Sequence, residues 1–305
     1  MAQVAHVEIE LPKRLSSGTI AQVLEPMITK DHEPRYKRIR LDMTKVIFVE
    51  PVGVTSLSNA IEWLKQNGCS VGLVVSAGDS ANRAQRWLDE AKFFEHYMHE
   101  PLDQDVQCRS SLLPLSRVTS EEFVDWKENK FNPWIANQLR VKPNRVAGFT
   151  FFLDEIVRNI QDHSGYNLAC VCGQYYPSKR QISIAISDFG VGIPTTVNEY
   201  LDSPLTDYNA LKKAMEKGFS VKTTPRNRGF GLSTLVSDVV HTHKGSLAVV
   251  SGRGRIFIGL SGKESVIAGQ TTEYPYPGTL FDIVINAHHF KLSEPDEIEE
   301  ELWLS

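Results

Sequence analysis

The sequence predicts an α/β fold in two units, and three observations predict it. Short alternating strands interleave with helices through the first hundred residues. The stretch from Glu100 to Val118 (EPLDQDVQCRSSLLPLSRV) then breaks the pattern with Pro, Asp, Gln and Ser. Beyond it, strand-like alternations at Gln181–Ser187 (QISIAIS) and Leu280–Ile285 (LFDIVI) are set among amphipathic helices. The expected division is a unit over 1–100, a linker over 101–118, a second unit over 119–290 and an acidic tail over 291–305. At 305 residues the chain has room for two domains of ordinary size.

In the first unit, Val4 to Leu11 alternates as a strand, and Ser16 or Ser17 can cap a helix through about Lys30. Arg38–Met43 and Val46–Val49 read as strands, Val54–Gln66 as a helix stopped by Asn67-Gly68, and Ser70–Ser76 as a strand. Asn82–Glu90 is the last helix expected there. In the linker, Leu112–Leu115 can add an edge strand. Thr119 with Glu122 forms a capping-box pattern that starts a helix through about Lys130; Asn132-Pro133 should interrupt it before Trp134–Leu139 resumes. Trp126, Phe131 and Trp134 suit a packing seam better than an aromatic ligand site. Gly252-Arg253-Gly254-Arg255 reads as a hairpin turn between Ser246–Val250 and Ile256–Leu260. The tail from Ser293 to Ser305 (SEPDEIEEELWLS) reads as a solvated or docked helix, or as a partner-binding segment.

Composition narrows the function classes. With 41% hydrophobic and 23% charged residues the chain can bury proper cores. A net charge of -4 offers no general basic field for nucleic acid. No run of about 18 apolar residues exists, and MAQVAHVEIELPKR lacks a signal-peptide apolar region, so a cytoplasmic protein with no membrane and no nucleic-acid partner is expected. Cys69, Cys108, Cys170 and Cys172 show neither a disulfide framework nor zinc spacing, and buried free thiols are the expectation. Gly262-Lys263 lacks the glycine five residues earlier that a Walker A loop needs, that position being Phe257 in GRGRIFIGLSGKES. His241 and His243, two apart, suit a helix end better than a metal site.

The segment Phe149–Gly165 (FTFFLDEIVRNIQDHSG) carries the densest chemistry. At 3.6 residues per turn, Phe149, Phe152, Leu153, Ile156 and Ile160 form an apolar stripe, and Glu155, Asn159, Asp162 and His163 fall on the other side. A carboxylate one turn before a carboxamide can orient water or take its proton while the amide oxygen ligates a hard cation. Downstream, in order, come Asp188-Phe189-Gly190-Val191-Gly192, the basic stretch Lys217–Gly231 (KGFSVKTTPRNRGFG) opening a helix at Leu232, and Gly278-Thr279 opening the last strand.

This order, over Val118–Ala287, resembles the GHKL superfamily of ATP-binding domains, which takes in histidine kinases, anti-sigma-factor kinases and topoisomerase ATPase subunits. The resemblance implies a Bergerat-type α/β sandwich in which a mixed sheet is covered on one side by helices. It implies that Glu155 is the water-activating base and Asn159 the Mg²⁺ ligand, with Asp162 and His163 beside the phosphates. Asp188 would accept from the adenine amino group, with Gly190 and Gly192 turning beneath the base and Thr279 close to that Asp. Lys222, Thr223, Arg226, Arg228, Gly229 and Gly231 would form the ATP lid, and Leu232 would open the helix behind it. Read without the resemblance, the first helix face is solvated surface, Asp-x-Gly-x-Gly is a turn, and the lid is a solvated basic loop. His163 suits a helix C-terminus equally well.

The run IRLDMTKVIFVEPVGVTSLSNAIEWLKQNGCSVGLVV, closed by WLDEAKFFEHY, resembles a STAS domain, the fold of anti-sigma-factor antagonists. Where switched antagonists carry a phosphorylatable serine turn, this chain has Glu50-Pro51-Val52-Gly53. Thr55 and Ser56 lie nearby but suit a cap or the surface. An interaction or regulatory module is therefore expected, not a phospho-switch. Together the two resemblances imply Mg²⁺-dependent ATP binding with slow hydrolysis, in which lid closure changes contacts with the STAS-like unit or a second protomer in a homodimer. Two alternatives stand beside this. One is a serine/threonine kinase of the anti-sigma type acting on another protein. The other is a nucleotide-gated interaction module without turnover, its protein partner docking through the STAS-like unit or the tail.

Overall fold

The computed structural model describes residues 6–76, 81–146, 153–154, 156, 168–219, 232–262 and 264–289. The chain begins with β1 (Val7–Glu10) and the two-residue strand β2 (Arg14–Leu15). Ser16 and Thr19 cap each other at a 3₁₀ turn that leads into α1 (Ile20–Leu24). This helix stops well short of Lys30, because Pro26 has no N–H with which to continue the ladder. Then come β3 (Arg38–Asp42), β4 (Phe48–Val49), α2 (Pro51–Gln66), β5 (Ser70–Val74), α3 (Arg83–Glu90) and α4 (Phe93–Met98). Strands β1, β3 and β5 form a parallel sheet in that order. The strand expected over Val46–Val49 stays outside that sheet, its last two residues pairing with β2.

The second half supplies β6 (Leu112–Val118), α5 (Ser120–Trp126), α6 (Asn132–Leu139), β7 (Ala169–Tyr176) and β8 (Gln181–Asp188). It continues through α7 (Ile193–Tyr200), α8 (Asp207–Ala214), α9 (Leu232–Val236), β9 (Ser246–Ser261) and β10 (Glu264–Asn286). The Thr119–Glu122 capping box is formed as expected. Pro133 does not interrupt the helix behind it. The backbone widens into a π-type turn over Lys127–Phe131, where the Asn132 N–H reaches Lys127 O, and runs on through the proline into α6.

Five strands form one sheet in the order β6-β7-β8-β10-β9, and all four pairings are antiparallel. The sheet is thus not mixed, as the sequence reading had it. Nor does β9 turn at Gly252–Arg255: it runs unbroken to Ser261, and Gly254 and Arg255 pair with Thr271 and Gln270. A local Gly-Arg repeat looks like a tight turn, but only Gly252 takes a left-handed φ, of 53°; the strand bends there and later comes back over its own start, while its hydrogen-bonded partner remains β10 on both sides.

Both faces of this sheet are covered, where the sequence suggested one. On the first face Val171, Ile182, Ile184, Ile186 and Ile283 share a core with Trp126, Phe131, Trp134, Leu153 and Ile156. The tryptophans and Phe131 are therefore seam residues, as expected. On the second face Cys170, Cys172, Ala185 and Leu280 share a core with α2 and the parallel sheet. Every residue of α2 from Pro51 to Leu64 is buried. Each large apolar side chain sealed in this way contributes on the order of 1.5–3 kcal/mol. Thr55 and Ser56 are buried with the rest, so neither is a cap or a surface hydroxyl; Ser56 Oγ donates to Gly53 O at 3.0 Å. All four cysteines are free, but Cys108 is exposed, unlike the other three. Among the described residues no helix is long and apolar enough to cross a membrane. The tail from Ser293 lies outside the described residues.

Candidate functional site

The site is built where β6, β7 and β8 end beside the middle of β10 and β9. The registers place Val118, Ala169, Asp188, Thr279 and Ser251 side by side in one row across β6, β7, β8, β10 and β9. Alternation decides which way Asp188 points. Ile182, Ile184 and Ile186 face the helical layer, so Asp188 faces that layer too. Leu153, Asp154 and Ile156 are helical, and the buried Leu153 and Ile156 pack on this same face, as the apolar stripe predicts. Asp154 is held at the side by Lys127, whose Nζ donates at 2.7 Å.

Asp188 is only 8% exposed. The Gly190 N–H donates to its Oδ1 at 2.7 Å, and the Thr279 N–H also donates to the carboxylate. Burial raises its pKa to about 6 despite these two donors, which act in the opposite sense. Among the described residues it has no ion-pair partner. Two N–H donors leave lone pairs on a carboxylate free to accept more.

Ser251, which the sequence reading passed over, organises the rest of the corner. Its Oγ donates to Gly278 O at 3.0 Å, accepts from Ile193 N–H at 2.9 Å, and lies 2.9 Å from Thr279 Oγ1. One buried hydroxyl therefore joins the turn after Asp188 to the strand that bears Thr279. Gly278 takes φ 91°, and a Cβ there would stand 2.2 Å from Asp188 O, so no other residue fits this approach. Gly192, at φ 84°, caps α7. Ser251 carries one sequence signal, a serine within an alternating strand just before a glycine kink.

From the other face, α2 reaches the same corner. Asn59 is buried, and its Nδ2 donates to Pro277 O at 2.9 Å. Tyr276 OH lies 2.6 Å from Ser187 Oγ, next to Asp188. Arg117 Nη1 donates to Glu62 Oε1 at 2.9 Å farther along α2.

Of the residues expected in the site, the structure brings together Asp188, Gly190, Gly192 and Thr279. Leu232, also expected there, opens α9 and is buried in the core of the helical face. Glu155, Asn159, Asp162, His163, Lys222, Thr223, Arg226, Arg228, Gly229 and Gly231 lie outside the described residues. Among those described, no group of three or more His, Cys, Asp or Glu could hold a metal ion.

No family model matches the chain, and no curated protein matches it. Among the solved structures that resemble it distantly are two ATPase-domain structures. One is the ATPase and transducer domains of DNA topoisomerase II from Balamuthia mandrillaris, at 14% identity and a TM-score of 0.28, covering 46% of this chain and 37% of that one. The other is the topoisomerase IV ATP-binding domain of Francisella tularensis in complex with a small-molecule inhibitor. It has 14% identity and a TM-score of 0.22, covering 61% of this chain and 46% of that one. The chain spans less than half the length of either structure, and likeness at this level does not assign a fold or a function.

Proposed function

We propose that the chain is an ATP-binding protein of the GHKL type, with a STAS-like unit over its first hundred residues. The observation that carries this reading is Asp188. It is a buried carboxylate without an ion-pair partner among the described residues, held by the Gly190 and Thr279 N–H groups. Keeping a carboxylate in such a place costs stability, and acceptor capacity for an N–H donor of a ligand offsets that cost. An exocyclic adenine amino group is such a donor. Gly192 and Gly278 let the backbone pack against Ser251 and against Asp188, which fixes the corner that holds the carboxylate.

In this reading Glu155 would activate the attacking water, and Asn159 would hold Mg²⁺, which would supply charge neutralisation at the phosphates. Asp162 and His163 would lie beside the phosphates, and Lys222, Thr223, Arg226, Arg228, Gly229 and Gly231 would form the lid ahead of Leu232. Slow hydrolysis would then open and close this lid. The buried packing of α2 against the back of the sheet supports a role for the STAS-like unit in transmitting the change to a protein partner or a second protomer.

The γ-phosphate of labelled ATP is the direct probe, followed with wild type and Glu155→Ala, with and without Mg²⁺. The expected result is free phosphate from wild type with Mg²⁺, and retained ATP binding without turnover in the variant. Label on protein would instead support the anti-sigma type of kinase. Tight binding with neither product would leave the nucleotide-gated module.

A further inference from the structure

The sheet face turned toward α2, opposite Asp188, holds a cavity at the β9–β10 edge, with a volume of about 430 Å³. The kink at Gly252 makes it. Before the kink, Val250 of β9 faces α2; beyond it, Ile256 and Ile258 join the core of the other face, and Arg255 and Phe257 line the cavity. The hairpin arm then folds back over its own strand, so that a Cβ placed on Gly259 would stand 3.7 Å from Ser246 Cβ. The remaining walls are mostly apolar, with Ser17, Ser246 and Gln270 as polar exceptions, and come from both halves of the chain: Ile20 and Val52 from the first, Val250 and Leu280 from the second.

Two charged side chains line this apolar space, Arg255 from the arm and Asp282 from β10. They do not pair with each other, and Arg255 Nε is buried without a hydrogen-bond partner. Burial pushes the Asp282 carboxyl up to about 7, reinforced by the Glu50 carboxylate at the cap of α2, and burial pulls the Arg255 guanidinium down. Leaving a guanidinium and a carboxyl apart and unpaired in a mostly apolar pocket is costly unless something bridges them. A cavity of this size lies within the range of small-molecule sites.

We infer that this cavity binds a small zwitterion with an apolar body, the class of apolar amino acids and dipeptides, its ammonium on Asp282 and its carboxylate on Arg255. A carboxylate meets a guanidinium with two parallel hydrogen bonds, and an ammonium donates to Asp282, while the apolar body replaces water against Ile20, Val52 and Phe257. Because Ile20 and Val52 belong to the first half and Asp282 to the second, an occupant would touch both. The inference does not depend on nucleotide binding at Asp188.

The test is calorimetric titration of the full-length protein with leucine, phenylalanine, Leu-Leu and Phe-Leu, each alongside its N-acetylated and C-amidated forms. Wild type is expected to bind at least one free form with a dissociation constant below about 1 mM and to bind both blocked forms at least tenfold more weakly. Asp282→Asn should lose the preference for the free amine, and Arg255→Met the preference for the free carboxylate, each variant weakening the free form about tenfold. Thermal melts of both variants check that they fold, and the blocked-form comparison on wild type stands without them. No binding by any free form, or equal binding of free and blocked forms, would overturn the assignment. So would binding that neither variant changes.

Discussion

Asn59 Nδ2 donates a 2.9 Å hydrogen bond to Pro277 O, which ties the middle of a helix from the first half to the turn that precedes Thr279. Pro277 is followed by Gly278, whose carbonyl accepts from Ser251, and by Thr279, whose N–H holds Asp188. The candidate site and the buried helix are therefore one hydrogen-bonded assembly read from opposite faces of the sheet.

Asn59→Leu is expected to leave the buried Pro277 carbonyl without a donor and to lower unfolding stability by about 1–3 kcal/mol. Urea denaturation measures this. The same variant should weaken ATP binding, because the strand end that positions Asp188 loses its anchor. An unchanged midpoint would mean that the carbonyl finds another partner.

Ser251→Ala removes the acceptor of the Ile193 N–H and the donor to Gly278 O together. A loss of about 1–3 kcal/mol is expected, with weaker nucleotide binding. Ser251→Thr keeps the hydroxyl and serves as the comparison, its added methyl having to fit a fully buried position.

The Asp188 carboxyl is raised from 3.8 to about 6 in the folded chain. The folded state thus binds this proton more tightly than the unfolded one, and stability from this group is present below pH 4 and lost as pH rises through 6. The shift corresponds to up to about 3 kcal/mol. Ligand-free Asp188→Asn should therefore be more stable than wild type at pH 7.5, with the difference fading toward pH 4. ATP binding by wild type should tighten as pH rises through 6, since the charged carboxylate is the better acceptor. Melts and titrations across pH 4–8 test both signs. A wild type that gained stability over this interval relative to the variant would contradict the assignment.

A fragment over 112–289, cut free of the first half, should be poorly soluble. It would expose Cys170, Cys172, Ala185, Val250, Tyr276 and Leu280, which share a core with α2. A monomeric, cooperatively folding fragment would show that the two halves are separable.

Much of the site was legible because its residues announce themselves locally. Asp188 ends an alternating strand and is followed by two glycines, and the register brings Thr279 opposite it; Gly278-Thr279 does not open that strand, as the sequence led us to expect, but lies within β10, which begins at Glu264 and changes register just before Thr279. What was hidden depends on which surface meets which. The α2 sequence is rich in Ser, Thr and Asn, which reads as a partly solvated helix. In the folded chain Ser56 satisfies itself on Gly53 O, Ser58 lies 2.5 Å from Tyr97 OH, and Asn59 reaches across to Pro277. Small polar groups can be buried when their partners are, and no local pattern names a partner more than 200 residues away. The kink at Gly252 was misread for a related reason: glycine marks freedom of the backbone, and only packing decides whether that freedom becomes a turn or a bend.

The central claim is that Asp188 reads an adenine amino group. Equilibrium binding of ATP and GTP to wild type and Asp188→Asn tests it most directly, because guanine carries a carbonyl oxygen where adenine carries that amino group. The account predicts that wild type binds ATP at least tenfold more tightly than GTP, and that Asp188→Asn loses at least tenfold in ATP affinity while keeping its cooperative melt. Undiminished ATP binding by a folded Asp188→Asn would contradict it.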